Sequence, residues 1–239
     1  MNKVSILEVN FDFGGEVNRI YPVVLEDERE MVLIDCGYPG FLSLIEEEGI
    51  KNGVDIGRLS KIIITHHDFD HMGSVAEFKR KYPNTEILAA REDEPYISGK
   101  EKSLRLQQAE GIYESLPEEE KEGAMAFHKV LESVESCKVD ITLEDKDYFD
   151  ICGGIEIIAT SGHMPGHISV YARESKSLIA GDALVIENGK LDIALPEYTL
   201  DLVDAKKSVK KFLNYDIDRI ICYHGGLFTK NIREVLNEI

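Results

Sequence analysis

Apolar and polar positions divide the chain into short β-like runs separated by helical stretches. Val4 to Val9 and Val17 to Leu25 read as strands around a Gly14–Gly15 turn, forming one hairpin. Met31-Val32-Leu33-Ile34 is a third strand that ends at Asp35, and Asp35-Cys36-Gly37 turns into a helix over about Phe41 to Glu48. Ile62-Ile63-Ile64 is a β-branched run of the kind that fills a buried strand. It gives way at Thr65 to His66-His67-Asp68-Phe69-Asp70-His71. Met72-Gly73 then lead into a helical pattern through Val75, Ala76 and Phe78 that stops before Pro83, and Ile87 to Ala90 is a short strand.

From Ser98 to Asp140 the pattern changes. Lys-Glu-Lys and Glu-Glu-Glu-Lys-Glu runs with few β-branched residues predict helices with an exposed charged face. Leu104, Leu106, Ile112, Tyr113 and Leu116 fit one apolar side, and Met125, Phe127, Val130, Leu131 and Val134 another. This reads as a helical insertion between two β-rich halves, either a structural helical hairpin or a lid over a pocket. The β pattern then resumes: Tyr148 to Ile151 and Ile155 to Thr160 form a hairpin across Gly153-Gly154, and the loop Ser161-Gly162-His163-Met164-Pro165-Gly166-His167 follows. Strands at Ser169 to Ala172 and Leu178 to Ala180 lead to Gly181-Asp182. A loop through Pro196-Glu197-Tyr198-Thr199 precedes a helix from Leu202 to Leu213. The last strand, Ile220-Ile221-Cys222, ends at His224-Gly225-Gly226, and a helix from Asn231 to Glu238 closes the chain.

Length and charge narrow the picture. A chain of 239 residues suffices for one large domain or two small ones, and no low-complexity segment or linker divides it. A hydrophobic fraction of 43% supports a sizeable core without staples. The net charge of −18 would repel a phosphate backbone, so nucleic acid is excluded as a partner and the charge reads as a solubility feature. Cys36, Cys137, Cys152 and Cys222 form no CxxC pair, and their scatter suits reduced thiols and a cytoplasmic location. The opening MNKVSILEVNF has no long apolar stretch, so neither a signal peptide nor a membrane partner is expected.

One regularity directs the reading toward chemistry. Asp35, His66, His163, Asp182 and His224 each fall at or just past the end of an apolar, strand-like run. Polar groups so placed can converge on one edge of a pair of sheets. Three imidazoles and two carboxylates occupy the six residues from His66 to His71. A solvated surface run does not need three histidines, and a core does not tolerate two aspartates without partners. A pair of metal ions is the economical explanation.

The order of these residues resembles the metallo-β-lactamase superfamily: a strand-end Asp, then HxHxDH, then a distant His, an Asp and a final His. Here these are Asp35; His66, Asp68, Asp70 and His71; His163 in SGHMPGH; Asp182 in AGDAL; and His224 in YHGG. The resemblance spans nearly the whole chain. It implies an α+β fold, an αββα sandwich forming a single domain over residues 1–239, with the helical insertion at about 98–140. The one departure is Asp68, where the family carries its second histidine. A carboxylate at this place resembles the flavodiiron proteins, which have Glu there and bind iron.

The resemblance further implies that His66, Asp68 and His163 hold one metal and Asp70, His71 and His224 the other. Asp182 bridges, and Asp70 and Asp182 are the catalytic carboxylates. The expected cofactors are two divalent ions, zinc first, with iron or manganese as alternatives. The expected activity is hydrolysis of a small-molecule ester, thioester or lactone by a metal-activated bridging hydroxide. The alternative is a di-iron redox or oxygen-binding protein. Asp35 is expected to fix the metal-loop backbone or a ligand imidazole, and His167 to support the site without ligating. His67 is read as outward-facing or supporting, His128 as solvent-facing, and Tyr198 as a packed loop tyrosine. Gly225-Gly226 is read as permitting close backbone approach beside His224. Asp68 is expected to coordinate, since a buried carboxylate needs a cation beside it, and Asp68→His is expected to raise zinc affinity.

Overall fold

Strands that are apolar at every position need cover on both faces. The structure, a computed structural model describing residues 2–13 and 15–239, supplies it with two packed sheets and outer helices. The first half runs β1 (Lys3–Ile6), β2 (Val9–Phe13), β3 (Glu16–Ile20), β4 (Val23–Glu26) and β5 (Met31–Ile34). It continues with α1 (Leu42–Lys51), β6 (Lys61–Ile64), α2 (Phe69–Met72), α3 (Val75–Lys81) and β7 (Glu86–Ala90). Helices α4 (Glu94–Ile97), α5 (Leu104–Tyr113) and α6 (Glu118–Glu132) precede β8 (Ile141–Leu143). The second half comprises β9 (Tyr148–Phe149), β10 (Ile155–Ala159), β11 (Ile168–Ala172), β12 (Ser177–Gly181), β13 (Val185–Glu187) and β14 (Lys190–Asp192). It ends with α7 (Leu202–Lys211), β15 (Arg219–Cys222), β16 (Gly226–Phe228) and α8 (Ile232–Glu238).

Among the described residues one six-stranded sheet has the order β1-β4-β5-β6-β7-β8 and the other β16-β15-β12-β11-β10-β9. Side chains alternate across each strand, and this alternation sorts them into layers. Ile63 joins Ile34, Leu88, Ile157, Val170 and Ile221 between the sheets. Its neighbours Ile62 and Ile64 face the other way, under Ile45 of α1 and Phe78 of α3. Leu178 and Ile220 of the second sheet pack under Val209 of α7 and Leu236 of α8. The result is an αββα sandwich. A slip of one residue in β6 would exchange the two faces, so the register is set by burial on both sides.

Strand direction explains where the loops gather. β5, β6, β7 and β8 are parallel. β10 and β12 both run antiparallel to β11, and β15 is parallel to β12. The C-terminal ends of β10, β12 and β15 therefore share one edge of their sheet, and those of β5 and β6 share one edge of theirs.

Two expectations need correction. The N-terminal hairpin is divided: β2 pairs with β3 as a separate ribbon, and β1 pairs with β4. Pro22 has no N–H to donate to a continuous ladder, and its carbonyl instead accepts the Leu7 N–H at 2.9 Å. Gly14 of the expected turn lies outside the described residues. In the segment between β7 and β8, α5 turns Arg105, Leu106 and Ala109 inward rather than the leucine–isoleucine face, and leaves Ile112 52% exposed. Met125 and Phe127 of α6 are also exposed, while Leu131 joins Leu106 and Ala109 in a small cluster against Phe69. The inward face of α5 follows from a charge, described below. Among the described residues no helix is long and apolar enough to cross a membrane.

Candidate metal centre

The loop after β6 is built on Asp35. This residue adopts a left-handed backbone, φ 60°, immediately after β5. Its Oδ1 accepts the Thr65 N–H at 2.8 Å, and its Oδ2 accepts the Thr65 hydroxyl at 2.8 Å. The same Oδ2 lies 2.9 Å from His71 Nδ1. A proton on Nδ1 satisfies this contact and leaves Nε2 as a bare lone pair. Thr65 Oγ1, having donated to Asp35, lies 3.0 Å from His66 Nδ1 and fixes that ring in the same sense. Tyr223 adds a hydrogen bond of 2.6 Å from its hydroxyl to the Asp70 carbonyl.

Three donor groups result: His66, Asp68 and His163; His66, His71 and Asp182; and Asp70, His71 and His224. Within the first, Asp68 Oδ2 is 3.2 Å from His163 Nε2 and 3.5 Å from His66 Nε2. Within the last, Asp70 Oδ2 is 3.1 Å from His224 Nε2 and 3.6 Å from His71 Nε2. Asp182 reaches both, with Oδ1 3.4 Å from His71 Nε2 and Oδ2 3.7 Å from His163 and 3.6 Å from His224. All seven residues proposed from sequence as ligands thus meet at one place.

The donor set fits cations. His66 Nε2, His71 Nε2 and Asp182 Oδ1 are buried without a hydrogen bond, although buried polar atoms normally find a partner. Burial alone would lower His71, yet the charges of Asp182, Asp70 and Asp35 hold it well above the usual imidazole range. His224 is raised for the same reason, by Asp182 and Asp70 against the effect of burial. Protons are drawn to these rings because carboxylates exceed cations around them, and a divalent ion would satisfy the same demand. His66 has no comparable excess: burial and the neighbouring His71 charge keep it well below its ordinary value.

Supporting residues are close to expectation at Asp35 and His167. His167 Nε2 accepts the Asp182 N–H at 2.9 Å while its Nδ1 pairs with Thr160 Oγ1 at 2.8 Å, so the ring orients the Asp182 turn. Gly181 makes this possible: its φ is +56°, and a Cβ there would stand 2.7 Å from His167 Nε2. Gly225 likewise allows the chain beside His224 to pass Ile186, where a Cβ would lie 2.5 Å away.

Other residues differ from expectation. His67 faces away from the donor groups and is buried: its Nδ1 and its N–H both contact Asp93 Oδ2, at 3.0 and 2.7 Å, and its ring stacks on Tyr96 at 4.3 Å. His128 is buried against Tyr113, with ring centroids 5.5 Å apart, because α5 and α6 pack together. Tyr198 is 53% exposed rather than packed; it is its carbonyl that is used, accepting from Arg105 Nη2 at 3.1 Å.

Asp93 and Arg105 were not singled out from sequence. Nothing distinguishes Asp93 within the acidic run Arg91-Glu92-Asp93-Glu94. Arg105 carried a faint signal, a cation between Leu104 and Leu106 on the presumed apolar side of a helix. Its guanidinium reaches Asp68, with Nη2 2.7 Å from Oδ2 and Nε 3.3 Å from Oδ1. Burial would raise Asp68, but bonds from His163 and His66 and the Arg105 charge outweigh it and hold the carboxyl well below its usual range. The cation that a buried Asp68 requires is therefore already supplied by the protein.

Comparisons with known proteins identify the family. The probable metallo-hydrolase YflN of Bacillus subtilis is 28% identical over 242 residues, covering 94% of this chain and 87% of that one. The hydroxyacylglutathione hydrolase GloC of Haemophilus influenzae is 26% identical over 218 residues, covering 87% of this chain and 85% of that one. In fold, a metallo-beta-lactamase family protein of Thermus thermophilus superposes with a TM-score of 0.74 at 20% identity, over 98% of this chain and 77% of that chain. The family model of the metallo-beta-lactamase superfamily matches residues 16–224, from β3 to the last donor histidine, and the chain belongs to that superfamily.

Proposed function

We propose that this chain is a metal-dependent hydrolase of a small ester, thioester or lactone. The observation that carries this reading is the pair of donor triads joined by Asp182, with buried ring nitrogens left unpaired between them. His66, Asp68 and His163 would hold one divalent ion and Asp70, His71 and His224 the other, with Asp182 shared. Zinc suits such a nitrogen–oxygen set, and iron or manganese are the alternatives. Bound there, the ions supply Lewis acidity and a hydroxide nucleophile at neutral pH.

The chain's own residues do the rest. Asp35 and Thr65 hold His71 and His66 in the tautomers that present Nε2. His167 sets the direction of the Asp182 turn. Asp70 and Asp182 are the carboxylates to which we assign the catalytic role: they would hold the ions and would accept hydrogen bonds from a nucleophilic water. His224, whose side chain is 35% exposed, marks the side from which a substrate carbonyl would approach. The similarity to GloC, a hydroxyacylglutathione hydrolase by name, supports the thioester among the three substrate classes, and the hydrolase relatives favour hydrolysis over di-iron redox chemistry.

The test is metal analysis of protein purified without added metal, followed by a panel of esters, thioesters and lactones. About two equivalents of colourless divalent metal and turnover of one class are expected. Metal-replete protein inert across the whole panel would overturn the hydrolase reading, and visible iron charge-transfer bands would overturn zinc.

A further inference from the structure

Arg105 stands near the start of α5, yet its side chain is only 9% exposed and that of Asp68 only 6%. Its donors are nearly all engaged: Nε and Nη2 on Asp68, Nη1 on Gln108 Oε1 at 2.9 Å, and Nη2 again on the Tyr198 carbonyl. One guanidinium thus ties α5, the metal loop and the loop before α7 together. Its planar fork suits a carboxylate presented with both oxygens, a geometry that an ammonium cannot copy. Burying such a group is unfavourable unless it is paired, and Asp68 is its carboxylate partner.

The charge arithmetic is simple. A neutral imidazole at this position contributes zero. Asp68 contributes −1 and Arg105 contributes +1, which again sums to zero. The oxygen that Arg105 grips most closely, Oδ2, is also the one directed at His66 and His163. An ion held by that triad would meet a donor whose negative charge is already shared with a guanidinium.

We propose that Arg105 is a positioning residue acting through Asp68: it turns Oδ2 toward His66 and His163 and makes the aspartate a charge-neutral counterpart of an imidazole. The effect on a bound ion rests on the metal reading given above, whereas the charge pairing does not. Arg105 keeps that ion electrophilic by withdrawing charge from its oxygen donor.

A charge-exchange cycle tests this with wild type, Asp68→His, Arg105→Gln and the double variant. Thermal unfolding of the metal-free proteins, zinc affinity by chelator competition, and kcat and KM are measured. Asp68→His alone leaves a buried guanidinium without its carboxylate, so its Tm and its zinc affinity should both fall, the latter about 10-fold or more. Adding Arg105→Gln should restore both, so the two substitutions are strongly non-additive. Arg105→Gln alone should keep zinc affinity at or above wild type while kcat drops about 10- to 100-fold with little change in KM. Arg105→Lys, which keeps the charge, should recover part of that kcat.

Additive effects on Tm would overturn the pairing. Parallel loss of zinc affinity and kcat in Arg105→Gln, with no advantage for Arg105→Lys, would reduce Arg105 to a mechanical prop and overturn the proposal. Wild-type protein that binds no zinc would defeat the metal reading, and with it the tuning of a bound ion. The metal-free unfolding cycle would still decide the charge pairing.

Discussion

The two triads are built from similar donors but stabilised by different parts of the molecule. Asp70, His71 and His224 lean on the core: Asp35 at the end of β5 holds His71, and Tyr223 beside β15 holds the Asp70 carbonyl. This triad is open to solvent at His224. His66, Asp68 and His163 are closed, and their closure comes from the segment between β7 and β8 through Arg105. The first arrangement joins sheet strands and their immediate loops. The second also depends on a side chain of α5, in the segment between β7 and β8. Changes in α5 should therefore act on the closed triad while leaving the scaffold of the open one intact.

Breaking each triad at a proposed ligand should give the largest effect. His163→Ala and His224→Ala should each lose one metal equivalent, and each should lower hydrolysis by more than the about 10- to 100-fold that supporting partners contribute. Two full equivalents retained in both variants would end the ligand assignment. Asp35→Ala should come next, costing about 3–5 kcal/mol in urea denaturation, because it strips acceptors from Thr65 and His71 in a buried setting. Zinc should weaken more at the open triad than at the closed one, and equal weakening would erase the contrast between them.

A pH series probes what the triads share. His167, behind Asp182, is lowered to about 3 by burial and by the nearby His163 charge. The unfolded chain, with an ordinary imidazole near 6.5, then binds more protons than the folded one between those values. Metal-free protein should lose stability from this group as pH falls below about 6.5, by up to about 1.4 kcal/mol per pH unit. His71 and His224 are raised and act in the opposite sense: their contribution is fully present below about 6.5 and is lost as pH rises through their folded values. The difference between wild type and His167→Gln isolates the acid-side loss, and superimposable profiles would show that His167 is not held neutral. Tyr223→Phe is the mildest change. It should remove about 1 kcal/mol with the loss of one hydrogen bond to the Asp70 carbonyl, and should leave the closed triad untouched.

Asp68→His also reads differently once Arg105 is placed. From sequence, exchanging the carboxylate for an imidazole is expected to strengthen zinc binding. With a buried guanidinium bonded to that carboxylate, the exchange strands a charge, and the gain should appear only when Arg105 is replaced as well.

Local pattern determined much of this protein. The β-branched run at Ile62–Ile64, the strand ends at Asp35, Asp182 and His224, and the clustering of His66, Asp68, Asp70 and His71 were all legible, because strand period and loop position are properties of neighbouring residues. The order of the motifs along the chain carried the family. Tertiary structure alone decided which charges are paired. Asp93 meets His67, and Arg105 meets Asp68, across 26 and 37 residues, with no periodicity linking either pair. It also decided which face of α5 is inside, since the partner that makes Arg105 tolerable in the interior sits on another loop. Apolar burial follows a repeating pattern that neighbours reveal. Burial of a charge depends on one opposite group within about 3 Å, and only the folded chain determines which group that is.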